Sequence, residues 1–332
     1  MPRRDSSFAP RVTLTSHGHH LRFFHGDCLD VLRRLEDAST DVVVTSPPYN
    51  LGIRNRSNDD ARPRADYLSW VATWIREVAR VLTPEGSLFL NVGSMPTDPW
   101  AAIDVAQAVR PFLHLQNTIH WIKSIAIALD DVGAGTRDGA CASSRPAGDT
   151  HLAVGHYKPI NSRRFVNDCH EFVFHFTPHG RTPLDRLAVG VPYQDQSNVT
   201  RWRQAGTGRR CRGNTWFLPY DTIQSRDRER PHPATFPERL PEYCLRLHGL
   251  RRIARVLDPF LGLGSTAVAC ARLGLDFDGV EIDDQYLDVA VERTRAALVT
   301  ERTESPPPPG APAAPDARAR ARARQPLLPD LE

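Results

Sequence analysis

The chain has 332 residues, of which 24% are charged, and a formal net charge of +3. That length can bury one large α/β core with a small insertion, and it excludes three domains. No apolar run approaches the roughly 20 residues that cross a bilayer, and the start MPRRDSSFAP lacks a secretory signal, so we expect a cytoplasmic protein. The six cysteines form no C-x-x-C pair, which argues against a zinc knuckle or a disulfide scaffold; no metal site is expected.

The first part of the chain reads as alternating short strands and helices. Residues 1–19 are polar and lack periodicity, which predicts a disordered N-terminal arm. Apolar runs predict strands at 21–24 and 41–45, with a helix at 29–35 between them. Apolar residues at a spacing of three or four, from Leu68 to Leu82, predict an amphipathic helix that ends at the turn TPEG.

The motif TSPPYN, residues 45–50, follows the second of these strands. Pro47 and Pro48 fix their φ angles and lack N–H groups, so nearby carbonyls are left to accept hydrogen bonds from a ligand. Tyr49 offers a face on which a flat ring can stack. Fixed acceptors favour the pyramidal nitrogen with which an exocyclic amino group of a nucleobase attacks an electrophile, and such a base would be flipped out of a duplex. The alternative is a strand end at which Tyr49 simply packs.

Further strands are predicted after the helix, at 87–92, 118–122, 171–176, 253–257 and 277–282. Strands that alternate with helices predict an α/β fold with a doubly wound, mostly parallel sheet. Ligands bind such sheets at the carboxyl ends of the strands, which is where TSPPYN lies. The stretch 130–150 is rich in Gly, Ala and Ser and is expected to be a mobile loop. His170 and His175 lack ligand spacing and are expected to be structural.

The segment 201–230 is strongly basic, with eight arginines against three acidic residues and a local charge of +5. Arginine forks bind phosphate oxygens and pair with guanine in the major groove, and Trp202, Trp216 and Tyr220 are interleaved here. A solvated basic loop is the alternative. The candidate DNA-binding residues are Arg201, Arg203, Arg209, Arg210 and Arg212.

The segment RVLDPFLGLGSTAVACARLGLDFDGVEID, from Arg255, contains a strand, a glycine turn, a helix from Ser265 and a second strand that reaches Glu281. Gly262 and Gly264 let the backbone approach a ligand, and the helix offers free N–H groups to a carboxylate or phosphate. Glu281 is placed to accept from ribose hydroxyls. The spacing also fits an NAD-binding unit, but no second mononucleotide half follows, and the Asp-Pro-Phe lead-in suits an adenosine with a short tail.

TSPPYN together with DPFLGLGST resembles the DNA amino-methyltransferases that use S-adenosylmethionine. The order, with the catalytic motif first, is similar to that of the circularly permuted β group. This resemblance implies a Rossmann-like methyltransferase fold over 20–298, with S-adenosylmethionine as cofactor and double-stranded DNA as partner. It also implies a target-recognition region at 178–230, and the stretch HEFVF at 170–174 looks like the family motif before that region. The tail 303–332, rich in Pro, Ala and Arg, is expected to be disordered.

The resemblance assigns site residues by position. Those implied to be catalytic are Ser46, Pro47, Pro48 and Tyr49. Those implied to bind the cofactor are Asp27, Thr45, His232, Pro233, Asp258, Pro259, Phe260, Gly262, Gly264, Ser265, Thr266 and Glu281. In the family, serine at the first position of S-P-P-Y goes mostly with cytosine N4 and aspartate mostly with adenine N6, so Ser46 favours N4-methylcytosine. Carbon-5 methylation needs a nucleophilic cysteine, and no Pro-Cys dipeptide occurs.

Two alternatives stay open. One is the same machinery acting on adenine N6 or on RNA, and the other is a non-catalytic DNA-binding protein that retains the fold. The resemblance further suggests a restriction-modification or epigenetic system. A cognate restriction endonuclease and a second copy of the chain are therefore candidate partners.

Overall fold

A computed structural model describes residues 9–50, 52, 61–128, 151–154, 162–193, 208–219 and 236–304. Within these ranges the strands are β1 (Val12–Ser16), β2 (His19–His25), β3 (Thr40–Thr45), β4 (Leu82–Val92), β5 (His114–Ile122), β6 (Ile125–Ala128), β7 (His151–Val154), β8 (His170–Thr177), β9 (Val191–Pro192), β10 (Arg209–Arg210), β11 (Thr215–Phe217), β12 (Arg255–Asp258) and β13 (Asp276–Glu281). The helices are α1 (Cys28–Leu32), α2 (Arg64–Val81), α3 (Ala101–Val109), α4 (Arg239–His248), α5 (Ser265–Leu273) and α6 (Asp284–Glu304), with a short 3₁₀ helix at Leu250–Arg252.

A nine-stranded sheet forms the centre of the described structure, in the order β1-β2-β13-β12-β3-β4-β8-β5-β11. Strands β2, β13, β12, β3 and β4 run parallel to one another, and β11 is parallel to β5. Strand β8 runs antiparallel to both of its neighbours, β4 and β5. The prediction of a mostly parallel α/β sheet is therefore confirmed. Two short two-stranded sheets, β9 with β10 and β6 with β7, lie outside it.

Helices cover both faces of this sheet, which explains the continuous apolar run in β3. Successive side chains of a strand point to opposite faces. Val42 and Val44 belong to one core cluster, together with residues of α4, α5 and α6, whereas Val43 belongs to a second cluster with residues of α1, α2 and α3. All three valines are buried, as expected for a strand between two helical layers.

The prediction of a disordered arm over residues 1–19 is wrong for its second half. Val12–Ser16 forms β1 and pairs antiparallel with β2. His17 and Gly18 both have positive φ angles, 48° and 84°, which suits the two-residue turn of a hairpin. Val12 and Leu14 alternate with polar residues and pack against the core, a period-two pattern that is typical of a strand.

Most predicted elements occur, with shifted ends. The helix predicted at 29–35 is α1, which ends at Leu32, and the amphipathic helix is α2, which begins at Arg64 and ends at Val81. The predicted turn TPEG lies inside β4, which begins at Leu82. Within the described ranges, no helix has the length and apolar character needed to cross a membrane.

Part of the predicted target-recognition region belongs to the central sheet. Strand β11 pairs with β5, and the Trp216 side chain is buried against Tyr243 of α4. Interpreting Trp216 as an aromatic that contacts DNA is therefore wrong, since it fills the core. Trp202, Tyr220, the stretch 130–150 and most of the tail lie outside the described residues.

Candidate active site

The two predicted motifs meet at one edge of the sheet, because β3 and β12 are parallel neighbours with Val43 opposite Leu257. A buried hydrogen bond joins them: Thr45 Oγ1 donates to Asp258 Oδ1 over 2.7 Å. Thr266 Oγ1 donates to the other carboxylate oxygen over 2.7 Å. Burial raises the pKa of Asp258 to about 6, although these hydrogen bonds oppose the shift. These hydrogen bonds thus hold together the end of β3, the end of β12 and the start of α5.

The two glycines of the turn after β12 have different roles, one in packing and one in leaving space for a ligand. Gly264 has φ +79°, and a Cβ there would lie 2.8 Å from Ala290 Cβ, so close packing against α6 requires glycine. Gly262 has φ +52°, and a Cβ there would meet nothing within 4 Å. Its outer side therefore faces open space. The following helix α5 has no side-chain cap at its N-terminus, which suits an anionic ligand group.

Glu281 ends β13 beside this turn, and its carboxylate organises the backbone around it. Gly262 N donates to Oε2 over 2.8 Å, and the amides of Ile282 and Asp283 donate to Oε1 over 3.0 and 2.9 Å. Burial raises the pKa of Glu281 to about 7, against the effect of these hydrogen bonds. The half-buried carboxylate beside an open glycine turn fits a ligand that carries hydroxyl donors.

Other predicted cofactor residues surround the same turn. Phe260 packs edge-on against Trp74, with ring centroids 5.1 Å apart, and also contacts Trp70 at 5.5 Å. Ser265 is buried and donates to the Phe236 carbonyl over 2.8 Å. Pro259 is also buried.

Asp27 stands at the strand end next to Glu281. It is exposed and accepts from the Leu29 amide over 2.8 Å, which caps α1. The adjacent Gly26 amide donates to the Glu281 carbonyl over 2.9 Å. Asp27 thus lies beside the strand end that carries Glu281, and its contact with adenine stays a prediction; His232 and Pro233 fall outside the described residues.

The TSPPYN segment forms the other side of the site. Ser46 Oγ and Tyr49 Oη lie 2.7 Å apart, and both side chains are half-buried. Pro47 is buried, and Tyr67 of α2 donates to the Pro48 carbonyl over 2.8 Å, which holds the Pro-Pro segment against the helix. The four predicted catalytic residues are therefore gathered at the carboxyl end of β3.

Three further polar residues complete this side, and none of them is among the predicted site residues. Tyr49 Oη donates to Glu171 Oε2 over 3.0 Å, and Lys123 Nζ donates to Glu171 Oε1 over 2.9 Å. Asn91 Nδ2 lies 2.6 Å from Tyr49 Oη, 2.8 Å from Glu171 Oε2 and 3.4 Å from Ser46 Oγ. Polar residues at strand ends were the available signal. Asn91 lies at the carboxyl end of β4, Lys123 directly follows β5, and Glu171 is the second residue of the antiparallel β8 between them.

Gly93, just after β4, gives these residues room. A Cβ on Gly93 would lie 2.9 Å from the Tyr49 ring and 3.2 Å from Glu171 Cγ. The approach of the ring to the carboxylate therefore depends on a glycine at this position.

The structure describes three of the five predicted DNA-binding residues, and these three differ in their contacts. Arg209 donates to the Gly190 carbonyl over 2.7 Å, and Arg212 donates to the Val189 carbonyl over 2.8 Å while it stacks on Tyr243. These two guanidinium groups stabilise the backbone around Val189 and Gly190. Arg210 is exposed on β10. Arg201 and Arg203 lie outside the described residues.

The paired ends of β3 and β12 fit the S-adenosylmethionine-dependent methyltransferases that the two motifs resemble. Comparison with known proteins gives the family. A family model described as DNA methylase, covering N6 and N4 enzymes, matches residues 40–292. The chain belongs to this family of S-adenosylmethionine-dependent DNA methyltransferases, with S-adenosylmethionine as cofactor and DNA as substrate.

Individual relatives cover most of the chain. It is 27% identical over 285 residues to the type II methyltransferase M.BglII from Bacillus subtilis, covering 82% of this chain and 69% of that protein. It is 29% identical over 287 residues to M.ScaI from Streptomyces caespitosus, covering 82% and 81%.

Solved structures share the fold. PvuII DNA methyltransferase, described as cytosine-N4-specific, superimposes with a TM-score of 0.56 at 18% identity, covering 82% of this chain and 85% of that one. A putative DNA modification methylase from Thermus thermophilus, described as complexed with S-adenosyl-L-methionine, gives 0.51 at 23% identity, covering 84% and 94%.

Proposed function

We propose that this DNA methyltransferase transfers its methyl group to the exocyclic N4 of cytosine in a flipped-out base. The observation that carries the proposal is the Ser46 hydroxyl, which lies at the mouth of β3 and 2.7 Å from the Tyr49 hydroxyl. By resemblance, serine at this position goes mostly with cytosine N4. The half-buried Tyr49 ring offers a stacking face for a base that has left the duplex.

The cofactor side of the site is proposed to work through three kinds of contact. The Glu281 carboxylate accepts from ribose hydroxyls, and the open side of Gly262 admits the adenosine close to the backbone. The uncapped N-terminus of α5 faces the amino-acid carboxylate. Asp27 and Phe260 border the adenine, and Thr45, Asp258, Ser265 and Thr266 hold the loop in shape. His232 and Pro233 are proposed to line the methionine end by resemblance.

The residues of the chain act mainly by positioning. The amino nitrogen donates one hydrogen bond to Ser46 Oγ and one to the carbonyl of Pro47, which directs its lone pair away from the base plane. The bound cofactor supplies a methyl group on a positively charged sulfur, already a reactive electrophile. Closing the site around the base removes water from the nucleophile. A neutral serine can serve as this acceptor because its hydroxyl oxygen carries lone pairs.

DNA contact is proposed for the basic segment, with Arg210 as the exposed described member and Arg201 and Arg203 as further members. Names of relatives such as M.BglII suggest a type II restriction-modification system. A cognate restriction endonuclease and a homodimer are therefore proposed as partners, in the cytoplasm.

The test is to incubate the purified protein with mixed-sequence double-stranded DNA and labelled S-adenosylmethionine, digest the DNA and identify the labelled nucleoside by mass. N4-methylcytosine is the expected product. N6-methyladenine would overturn the proposed base while retaining the enzyme class. Absence of any labelled nucleoside, despite intact cofactor binding, would move the assignment to RNA or to a non-catalytic role.

A further inference from the structure

The hydrogen bonds of Ser46 and Tyr49 have a fixed direction, which Glu171 determines. Glu171 forms a salt bridge with Lys123, with Nζ 2.9 Å from Oε1, and a carboxylate in such a pair carries no proton and can only accept. The single phenol proton of Tyr49 therefore points at Glu171 Oε2, 3.0 Å away. Because that proton is engaged, the 2.7 Å contact between Ser46 and Tyr49 must use the serine proton.

The consequence concerns the accepting capacity of Ser46. Its proton is directed at Tyr49, and the Asn91 amide lies 3.4 Å from the oxygen, so toward an incoming amino group Ser46 Oγ can act only as an acceptor. Asn91 strengthens this arrangement, because its amide nitrogen donates to Tyr49 Oη over 2.6 Å and to Glu171 Oε2 over 2.8 Å. The Asn91 side chain is 2% exposed, so water has little access to this end of the network.

We propose that Glu171 is a positioning residue for methyl transfer: acting through Tyr49, it makes Ser46 an acceptor and receives the proton that the amino group loses. This inference deepens the proposed function and rests on amino-group methylation by this site. As the nitrogen–carbon bond forms and the carbon–sulfur bond breaks, the sulfur keeps the electron pair and the nitrogen becomes positive. The nitrogen then gives one proton to Ser46 Oγ, the Ser46 proton moves to Tyr49 Oη, and the Tyr49 proton moves to Glu171 Oε2.

This relay balances in protons and charge. The base ends neutral with one N–H replaced by N–CH₃, Ser46 and Tyr49 each regain a proton, and Glu171 ends protonated beside Lys123. Glu171 thereby supplies a carboxylate to which Ser46 is connected through two hydrogen bonds, by way of Tyr49.

The first test compares two replacements of Glu171 under single-turnover conditions, with enzyme in excess over sites in mixed-sequence DNA and saturating labelled S-adenosylmethionine. Glu171→Gln keeps the shape and removes the charge, whereas Glu171→Asp keeps the charge and shortens the side chain. We expect a loss of about 100-fold in the methyl-transfer rate for Glu171→Gln, a smaller loss for Glu171→Asp, and cofactor affinity within about twofold of wild type for both. A Gln variant faster than the Asp variant would overturn the proposal, since shape would then matter more than charge.

The second test asks whether Glu171 acts through Tyr49. Tyr49→Phe retains the ring, the stacking face and the Glu171–Lys123 pair, and it should lose about 100-fold in rate. In the double variant with Glu171→Gln, the losses should not multiply, because both changes cut the same chain. Multiplied losses, or a wild-type rate for Tyr49→Phe, would overturn the proposal. Tyr49→Phe also serves if the Glu171 variants do not fold.

The matched control is Glu242→Gln, which removes a carboxylate paired with Arg246 at 2.8 Å on α4, outside the proposed site. It should leave the rate unchanged. Failure of the proposed base is distinguishable, because a wild type that produces N6-methyladenine still reports the rate ratios between variants. A wild type without any methylated nucleoside would overturn both proposals.

Discussion

The parallel strands of the central sheet bury polar groups toward both of their ends, but the pKa values of these groups shift in opposite directions. At the carboxyl end, burial raises the pKa of Asp258 to about 6 and that of Glu281 to about 7. Toward the amino end, Ser87 lies 2.9 Å from both His175 and His248. Burial lowers the pKa of His175 to about 3 and that of His248 to about 4. In both places the sheet interior favours the neutral form.

The amino-end cluster is closed on itself. The Asn117 amide lies 2.9 Å from His175 Nδ1 and donates to it, so the His175 proton resides on Nε2 and is donated to Ser87 Oγ. The Ser87 proton then goes to His248 Nδ1. Phe89 stacks on the His175 ring with centroids 4.5 Å apart. Each of these contacts pairs one donor with one acceptor, which is the arrangement of a structural cluster and agrees with the expectation for His175.

The carboxyl-end network is open by contrast. Ser46, Tyr49 and Glu281 are half-buried, and each makes hydrogen bonds to the protein while part of its surface stays accessible. The difference teaches that buried polarity alone does not mark an active site in this fold. What marks it is a hydrogen-bond network that ends at the surface. Changes at the open end should affect catalysis, and changes at the closed end should affect stability.

The largest expected effect is at the open end. Ser46→Ala removes the acceptor for the amino group and should lower the methyl-transfer rate by on the order of 100-fold or more, with little change in thermal stability. Rate and melting temperature are measured on the same preparation. A large drop in melting temperature would mean that Ser46 belongs to the structural class, and the comparison would fail.

The second effect concerns acid stability at the closed end. Since the folded-state pKa of His248 lies below its ordinary 6.5, its contribution to the free energy of unfolding is present above pH 6.5 and is lost as the pH falls toward 4. In His248→Gln this loss disappears. When urea unfolding is measured from pH 7 to pH 4, the free energy of unfolding of the variant should rise relative to that of wild type by on the order of 3 kcal/mol.

Asp258 and Glu281 contribute with the opposite sign. Their folded-state pKa values are raised, so their contribution is present at acidic pH and is lost as the pH rises through about 6 and about 7. Both carboxyls are retained in His248→Gln, and their effect cancels in the difference from wild type. A difference that does not change with pH would contradict the assignment of His248 as a buried neutral imidazole.

The third prediction makes the same serine-to-alanine change in the cluster toward the amino end of the strands. Ser87→Ala leaves the His175 N–H and the His248 acceptor without their partner and should cost about 2–3 kcal/mol in the free energy of unfolding. The methyl-transfer rate of the folded fraction should stay at the wild-type level. A rate loss comparable to that of Ser46→Ala would show that the two ends are coupled.

The smallest effect sharpens the role of Glu281. If its ionised form accepts from ribose hydroxyls, the dissociation constant for S-adenosylmethionine should rise as the pH falls below about 7, by at most about tenfold per pH unit, and should be level above that value. Calorimetric titration from pH 6 to pH 8 measures this. Glu281→Gln should bind more weakly and without this dependence; an unchanged slope would assign the titration to another group.

The sequence predicted much of the carboxyl end because its determinants are local. TSPPYN and the glycine turn each specify a strand end within a few residues, and alternating strands and helices place both ends at one edge of the sheet. The missed residues depend on strand order. Glu171 reaches Tyr49 because β8 inserts antiparallel between β4 and β5, and no local pattern reports that insertion.

By itself, the sequence determined the α/β class, the order of the two motifs and the residues that form the pocket and the turn, since stiff prolines and permissive glycines act through their own backbone. Tertiary structure decided which polar groups serve folding and which face the site. Trp216 and Arg212 read as DNA contacts along the chain but pack against Tyr243. The carboxylate that orients Ser46 belongs to Glu171, 125 residues further along the chain. The pairing of β8 with β4 brings it there, and that pairing depends on residues that are distant in sequence.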